Sequence, residues 1–399
     1  MHLALPLLAL VCTASIGVAA HEASETPAEN VGMSSTLLVE VDRIIEAAMR
    51  DGVMPGAALA IGRHGKLVRL RGYGQLDYGD GAVVTPTTLY DISSLTKVAG
   101  TTLGIMRHVE TGLIGLADPV YRHLSYWPRT GRTSRITIRH LLAHTSGLPP
   151  GVDLTRRGRT RQQRLRSIAK LPLVAAPGTQ VDYSDLGMIV LGAILEQKQG
   201  KRLDHYLRER VFARLGLHET LFRPAQDAPR LLARTAPTEV SRSGRALQGV
   251  VHDPLAASLD GVAGHAGLFS SARDMAVIAQ SLLDGAKSKP SRIVKTATLK
   301  QFTRAGAEGR GLGWDLAATP DAPAGEFLSA STFGHTGFTG TSLWVDPDLD
   351  IFVVLLTNRL YPSARNGGHV VLRRAVNDAA ALAITDRVVS PRVTTEQAR

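Results

Sequence analysis

Strand-like patterns lie at the two ends of this chain, and helical patterns fill most of what lies between. Near the start, residues 57–62 and 67–72 are short apolar-rich runs joined by Arg63-His64-Gly65-Lys66, a turn with glycine where a positive φ is convenient. Near the end, 311–316, 331–335, 339–345 and 351–357 read as strands, with Pro347-Asp348 turning between the last two. From residue 95 to about 196, Ala, Leu and Ile recur at three- to four-residue spacing, broken at Gly112, at Gly147-Leu148-Pro149-Pro150 and at Pro177-Gly178. Helices over 203–215 and 273–283 continue that region, one over 37–50 precedes the first strands, and one over 368–384 follows the last. Strands from opposite ends of a chain find partners most simply in each other. The expected fold is therefore α/β (α+β): an antiparallel sheet built from N- and C-terminal segments and flanked by helices, with an inserted all-α lobe. The expected boundaries are 36–94 and 311–386 for the sheet lobe, 95–310 for the helical lobe, and 387–399 for a frayed tail. At 399 residues the chain can bury a core in both lobes, and it shows no internal repeat.

Residues 3–20 form an apolar run ending in the small residues Val18-Ala19-Ala20, followed by polar sequence from His21. This pattern predicts a signal peptide over 1–20 and a loose leader over 21–35, hence a periplasmic or secreted protein with no stable membrane span after cleavage. Cleavage after Ala20 would also remove Cys12, the single cysteine, and with it disulfides, thiolate zinc sites and a cysteine nucleophile. Hydrophobic residues at 44% and charged residues at 20% exclude wholesale disorder, collagen and coiled coil. The net charge of +11 suits an anionic surrounding such as cell wall or lipopolysaccharide. Its densest basic stretch, 156–170, reads as a solvated helix face without aromatics for base stacking, so no nucleic-acid partner is expected.

Three short motifs carry the chemistry. In Asp91-Ile92-Ser93-Ser94-Leu95-Thr96-Lys97, Ser94 and Lys97 form S-x-x-K. If Ser94 opens a helix, Lys97 lies one turn on and on the same face, near enough to share the hydroxyl proton that makes serine a poor nucleophile. Taken alone, the pair reads equally as a capping serine and a surface lysine. Tyr183-Ser184-Asp185 precedes an apolar helix, which Asp185 could also simply cap, and Gly334-His335-Thr336-Gly337 lies on an expected strand. His140 and His144 are spaced for one helix face, but Leu141 stands where H-E-x-x-H needs Glu and no third ligand is evident, so packing or capping is expected and no metal. The glycine-rich stretch 261–267 lacks the Lys-Ser/Thr of a phosphate loop, and no cofactor is expected. His252 and His265 read as hydrogen-bonded loop histidines.

In the order S-x-x-K, Y-x-[N/D], [K/H]-T-G, with helices between the first and third, the chain resembles the serine β-lactamase and D-Ala-D-Ala carboxypeptidase (penicillin-binding protein) superfamily, in particular its class C-like branch. Ile136-Thr137-Ile138-Arg139-His140-Leu141-Leu142-Ala143-His144-Thr145-Ser146-Gly147-Leu148-Pro149 and Gly261-Val262-Ala263-Gly264-His265-Ala266-Gly267-Leu268-Phe269-Ser270 also look like family signatures, and the resemblance spans about 38–383. It implies that Ser94 attacks a carbonyl while Lys97 and Tyr183 move the proton, that the N–H groups of Ser94 and Phe338 form the oxyanion hole, and that Thr336 and Gly337 line the cleft. It places Asp185 beside Lys97, and the His265 segment at the pocket rim. His335 stands where many β-lactamases carry a permanently charged lysine, and Asp185 where asparagine is commoner; both departures weaken the expectation of an efficient β-lactamase. The implied activity is that of an exported serine hydrolase acting through an acyl-enzyme on D-amino-acid cell-wall peptides, its partner being a small-molecule or peptide substrate such as peptidoglycan. A carboxylesterase or β-lactamase on the same fold is the alternative, and a non-catalytic penicillin or peptidoglycan sensor an alternative of another class. The oligomeric state is not readable from the sequence.

Overall fold

The computed structural model describes residues 25–392 apart from 80, 242, 290, 292, 307–309, 319–321 and 366. The expected signal peptide, the first residues of the leader and the end of the tail fall outside the described residues. Strands β1 (Gly56–Arg63) and β2 (Lys66–Gly74) form a hairpin whose turn is two residues, His64 and Gly65, with φ of 53° and 77°. Two successive positive φ values match the twist of the strands they join, so both strands reach into the turn that the sequence reading had made four residues long. Three short strands follow, β3 (Tyr90–Asp91), β4 (Leu221–Phe222) and β5 (Leu268–Ser270). The last four are β6 (Asp315–Leu316), β7 (Phe333–Thr336), β8 (Ser342–Asp346) and β9 (Ile351–Thr357).

The main sheet runs β2-β1-β9-β8-β7-β6, so β1 from one end of the chain pairs with β9 from the other, Ala57 opposite Thr357 and Arg63 opposite Ile351. Every neighbouring pair is antiparallel. Both β1 and β9 are buried along their length, because the sheet is covered on both faces. Alternate residues serve two cores: Ala58 and Ala60 join Val354 and Leu356 on the helical-lobe side, whereas Ala57, Leu59 and Ile61 join Val353 and Leu355 on the other. The helix Ala272–Ala286 packs on one face, and the helices Ser35–Arg50 and His369–Leu382 pair on the opposite one.

Within the inserted lobe β4 and β5 pair with each other, and β5 with β3, in a small sheet β3-β5-β4, which amends the all-α expectation. Strands of two or three residues are too short to show alternation in a sequence. The expected strand over 311–316 shrinks to β6 because Gly313 turns the chain at φ 83°. Two helices position the site. One winds as a π-helix over Lys97–Thr102 and continues as an α-helix over Leu103–Glu110; the other runs Asp185–Gln199. Among the described residues no helix is long and apolar enough to cross a membrane.

Candidate active site

Asp91 at the end of β3 organises the turn that presents the first motif. Its fully buried carboxylate accepts from the Ser93 N–H at 2.9 Å and the His252 N–H at 2.8 Å, while burial pushes its pKa up to about 6. Held this way, Ser93 adopts φ 49°, and Ser94 follows at the start of the π-wound helix. The Lys97 N–H donates to the Ser94 carbonyl at 3.0 Å, a tight i to i+3 turn that sets Lys97 Nζ 2.8 Å from Ser94 Oγ, and the π-winding begins only at Lys97.

Lys97 is fully buried, and its ammonium meets Ser94 Oγ, the His265 carbonyl at 3.2 Å and Asp185 Oδ1 at 2.8 Å. Burial is the largest influence on this lysine and favours its neutral form, but contacts with Tyr183 and Asp185 outweigh it and raise the pKa above the ordinary value. An ammonium has three donors and no acceptor, so these partners suit the charged form. Asp185 does not cap its helix. Ser184 does, its Oγ accepting from the Gly187 N–H, and Asp185 is left free to face Lys97.

Tyr183 is partly exposed and surrounded by aromatic and cationic groups. The His144 ring stacks on it at 4.6 Å, the His335 ring centroid lies 6.0 Å away, and Lys97 Nζ and Arg310 Cζ stand 4.9 and 5.5 Å from its ring centre. His144 accepts the Ser184 N–H on Nδ1 at 3.0 Å, which puts its proton on Nε2; burial, then Arg310 and Lys97, hold its pKa well below the ordinary value. His140 instead completes a capping box with Thr137. The i, i+4 histidines therefore hold separate backbone groups, in keeping with capping and packing.

The third motif completes the group. Gly334 sits where a Cβ would lie 2.1 Å from the Leu343 carbonyl, so β7 and β8 approach closely. His335 is buried; desolvation lowers its pKa against the opposing pull of Asp315, 3.9 Å away, which keeps the ring neutral near pH 7. Thr336 ends β7 half-buried. At Gly337 a Cβ would lie 2.1 Å from Thr341 Oγ1 and 2.6 Å from the Ile92 carbonyl, a contact only glycine permits. The Phe338 N–H points to Ser93 Oγ at 3.2 Å, beside the Ser94 turn, and the Phe338 ring is exposed with His252 stacked at 6.0 Å.

Ser94, Lys97, Tyr183, Asp185 and His335 are thus brought together, with Gly337 and Phe338 alongside. His265 contributes differently from a rim contact: its ring is buried against Asp253 at 2.8 Å and its carbonyl receives Lys97. Asp253 escaped sequence reasoning. Asp253-Pro254 is a helix-start signal, and Asp253 does cap the helix Pro254–Ala257, yet it also faces His265, and despite partial burial its pKa falls to about 2. Asp185, Asp253 and His265 are close enough to share a cation, with ligand atoms within 4.8 Å of one another, but Lys97 already places its positive charge on Asp185. Arg310 was missed as well, because no local pattern ties it to Asp315, its 2.5 Å partner, or to Tyr183.

A sequence profile for the family described as Beta-lactamase matches residues 41–377. Over 391 residues the chain is 31% identical to a protein of Escherichia coli O157:H7 named "Putative D-alanyl-D-alanine carboxypeptidase", covering 89% of each chain. Over 367 residues it is 31% identical to a Bacillus subtilis (strain 168) protein named N-acetylmuramyl-L-alanine amidase, covering 83% of each. Among solved structures, EstCE1, a hydrolase with promiscuous acyltransferase activity, aligns with a TM-score of 0.70 at 26% identity, over 87% of this chain and 98% of that one. The matched span takes in the Ser94 turn, the Tyr183–Asp185 helix start and the His335 strand, and the chain belongs to the beta-lactamase family.

Proposed function

We propose that this chain is an exported serine hydrolase that opens amide or ester bonds in cell-wall muropeptides through an acyl-enzyme on Ser94. The observation that carries the reading is the Lys97 ammonium, 2.8 Å from Ser94 Oγ and 2.8 Å from Asp185 in a fully buried position. With Lys97 held in its charged form, Tyr183 is the group left to receive the Ser94 proton, in its ionised form, as Oγ bonds to the substrate carbonyl carbon. Lys97 stabilises the charge on both oxygens during that transfer. The carbonyl oxygen becomes an oxyanion facing the N–H groups of Ser94 and Phe338. Tyr183 then returns the proton to the departing amine or alcohol, and water repeats the sequence to release the acyl group. Export rests on the signal-like residues 1–20, and the wall as substrate on the names of the two relatives and on the positive net charge.

D-Ala-D-Ala carboxypeptidase action is the first reading within that class. A muramyl-L-alanine amide is the second, favoured by a specific observation: the His335 ring is neutral and Arg310 is paired with Asp315, so neither offers an unengaged cation to a terminal carboxylate. Side-by-side turnover of a D-Ala-D-Ala tripeptide, an N-acetylmuramyl-L-alanine peptide, a short-chain p-nitrophenyl ester and nitrocefin decides between them. A muropeptide turned over faster than the ester and nitrocefin supports the proposal; ester turnover alone replaces it with a carboxylesterase. Ser94→Ala should abolish turnover and labelling by a fluorophosphonate, with the circular dichroism unchanged. Labelling that persists, or maps to Ser93, overturns the assignment of the nucleophile.

A further inference from the structure

The C-terminal helix sends one arginine under the turn that follows β7. Arg373 is 4% exposed, and among the described residues it has no carboxylate partner. Its guanidinium donates instead to backbone: Nε to the Gly340 carbonyl at 3.1 Å, and Nη2 to the Thr341 carbonyl at 2.9 Å and to that of Gly337. A buried cation without a counter-ion is costly, and ordinary packing would not retain one. All three acceptors belong to the turn that carries the Phe338 N–H.

The Gly337 carbonyl and the Phe338 N–H are the two ends of one peptide unit. A cation on the oxygen draws electron density from the nitrogen and makes its N–H a stronger donor. The front of the same turn is strapped by Thr339 Oγ1 to the Asp91 carbonyl at 2.7 Å and by Thr341 Oγ1 to the Ile92 carbonyl at 3.1 Å. The donor is consequently fixed in direction from one side and polarised from the other. We infer that Arg373 is a positioning residue for the oxyanion hole, whose positive charge strengthens the Phe338 N–H as negative charge develops on the substrate carbonyl oxygen. It touches no substrate and acts only through this peptide unit.

The inference rests on the acyl-enzyme reading, and two variants with opposite chemistry test it. Arg373→Lys keeps the charge with fewer donors; Arg373→Gln keeps amide donors for the carbonyls without the charge. Deleting an oxyanion donor outright costs about 100- to 1,000-fold in kcat, so loss of polarisation should cost less, about 10- to 100-fold for Arg373→Gln. KM should be unchanged, affinity for a boronic acid that mimics the tetrahedral state should fall by a similar factor, and the acyl-enzyme carbonyl stretch should move to higher frequency. Arg373→Lys should stay within a few-fold of the parent in all three. Equal losses in the two variants, or a glutamine variant that matches the parent while only its melting temperature falls, would leave Arg373 a structural tie and overturn the inference. Ser94→Ala serves as the separate control: continued turnover there would refute the acyl-enzyme itself, whereas an inactive Ser94→Ala with indifferent Arg373 variants refutes this inference alone.

Discussion

Ser93 stands next to the proposed nucleophile and competes with the substrate. Its Oγ accepts the Phe338 N–H at 3.2 Å, so an incoming carbonyl must displace that hydroxyl before it can use the donor. A hydrogen bond of this kind has a net worth of about 0.5–1.5 kcal/mol, and Ser93→Ala should raise kcat/KM by about 2- to 10-fold. A decrease would mean that the hydroxyl orients the donor and does not block it. Asp91, two residues earlier, supplies a pH prediction. Its pKa is raised from 3.8 to about 6, so the folded protein favours the protonated form, and stability should rise as pH falls from 6 towards 3.8. Activity should move the other way, because the oxygen that takes the proton becomes a much weaker acceptor for the Ser93 or His252 N–H it holds. The expected kcat/KM profile therefore has an acid limb near pH 6 while the melting temperature holds or climbs, and Asp91→Asn should lack that limb and sit at the lower plateau. Parallel decline of activity and stability would sink this account. Ser94 and Lys97 were legible because they lie three positions apart, as S-x-x-K requires, whereas Tyr183, Asp185 and His335 were legible only through the order of motifs that carries the family resemblance. Asp91 also reaches the His252 N–H, Asp253 reaches His265, Arg310 reaches the Tyr183 ring and Arg373 reaches the Gly337 carbonyl, contacts between distant parts of the chain that no local spacing pattern announces.

Between elements, the site depends on how closely the Asp185–Gln199 helix approaches the loop that carries His265. Gly192 and Gly264 make the contact: a Cβ on Gly264 would lie 2.1 Å from the Met188 carbonyl and 3.1 Å from the Gly192 N. The loop is pinned from its other side by Thr101 Oγ1, which donates to the Gly264 carbonyl at 2.8 Å, and by Thr96 Oγ1, which accepts the Leu268 N–H at 3.1 Å. Gly264→Ala must push the helix away, and with it Asp185 from Lys97. Overpacking of this kind costs about 1–3 kcal/mol in stability. Because the displaced pair lies at the proposed reacting centre, kcat should fall by about 10-fold or more. An alanine variant with parental kcat and a lowered melting temperature would show that the helix can shift without moving Asp185. The glycine-rich character of 261–267 was plain in the sequence, but not its purpose, since close approach depends on a helix some seventy residues earlier. Longer elements were legible through their periodicity: the helix expected over 273–283 forms as Ala272–Ala286, and β9 forms over the full expected 351–357.

At the scale of the whole molecule, the meeting of the two chain ends was readable because β1 and β9 are long apolar runs at opposite ends of the chain, whereas the clamp that holds those ends was not. Arg63, the last residue of β1, is fully buried, and its guanidinium donates to the carbonyls of Val31, Gly32 at 2.9 Å and Leu349 at 3.2 Å, and to Asp386 at 2.7 and 3.0 Å. One side chain thus ties the segment before the first long helix, the turn before β9 and the chain beyond the last helix. Asp386 supplies the only carboxylate among these contacts, and the arginine's hydrogen bond is the main cause of its lowered pKa. Asp386→Ala leaves a buried cation with carbonyls alone. Removing one partner of a buried pair costs about 3–5 kcal/mol, but Asp386 is 40% exposed and water can replace part of it, so about 1–2 kcal/mol is expected. The sign with pH follows from the lowered pKa: the contribution is present above the ordinary carboxylate value of 3.8 and disappears as pH falls through the folded-state value. Urea unfolding of parent and variant should therefore differ at pH 7 and converge in acid, while kcat at pH 7 stays the same because Arg63 lies on the sheet edge of the turn and not at Ser94. A stability difference that persists unchanged in acid would mean that the loss comes from packing and not from the charge on Asp386.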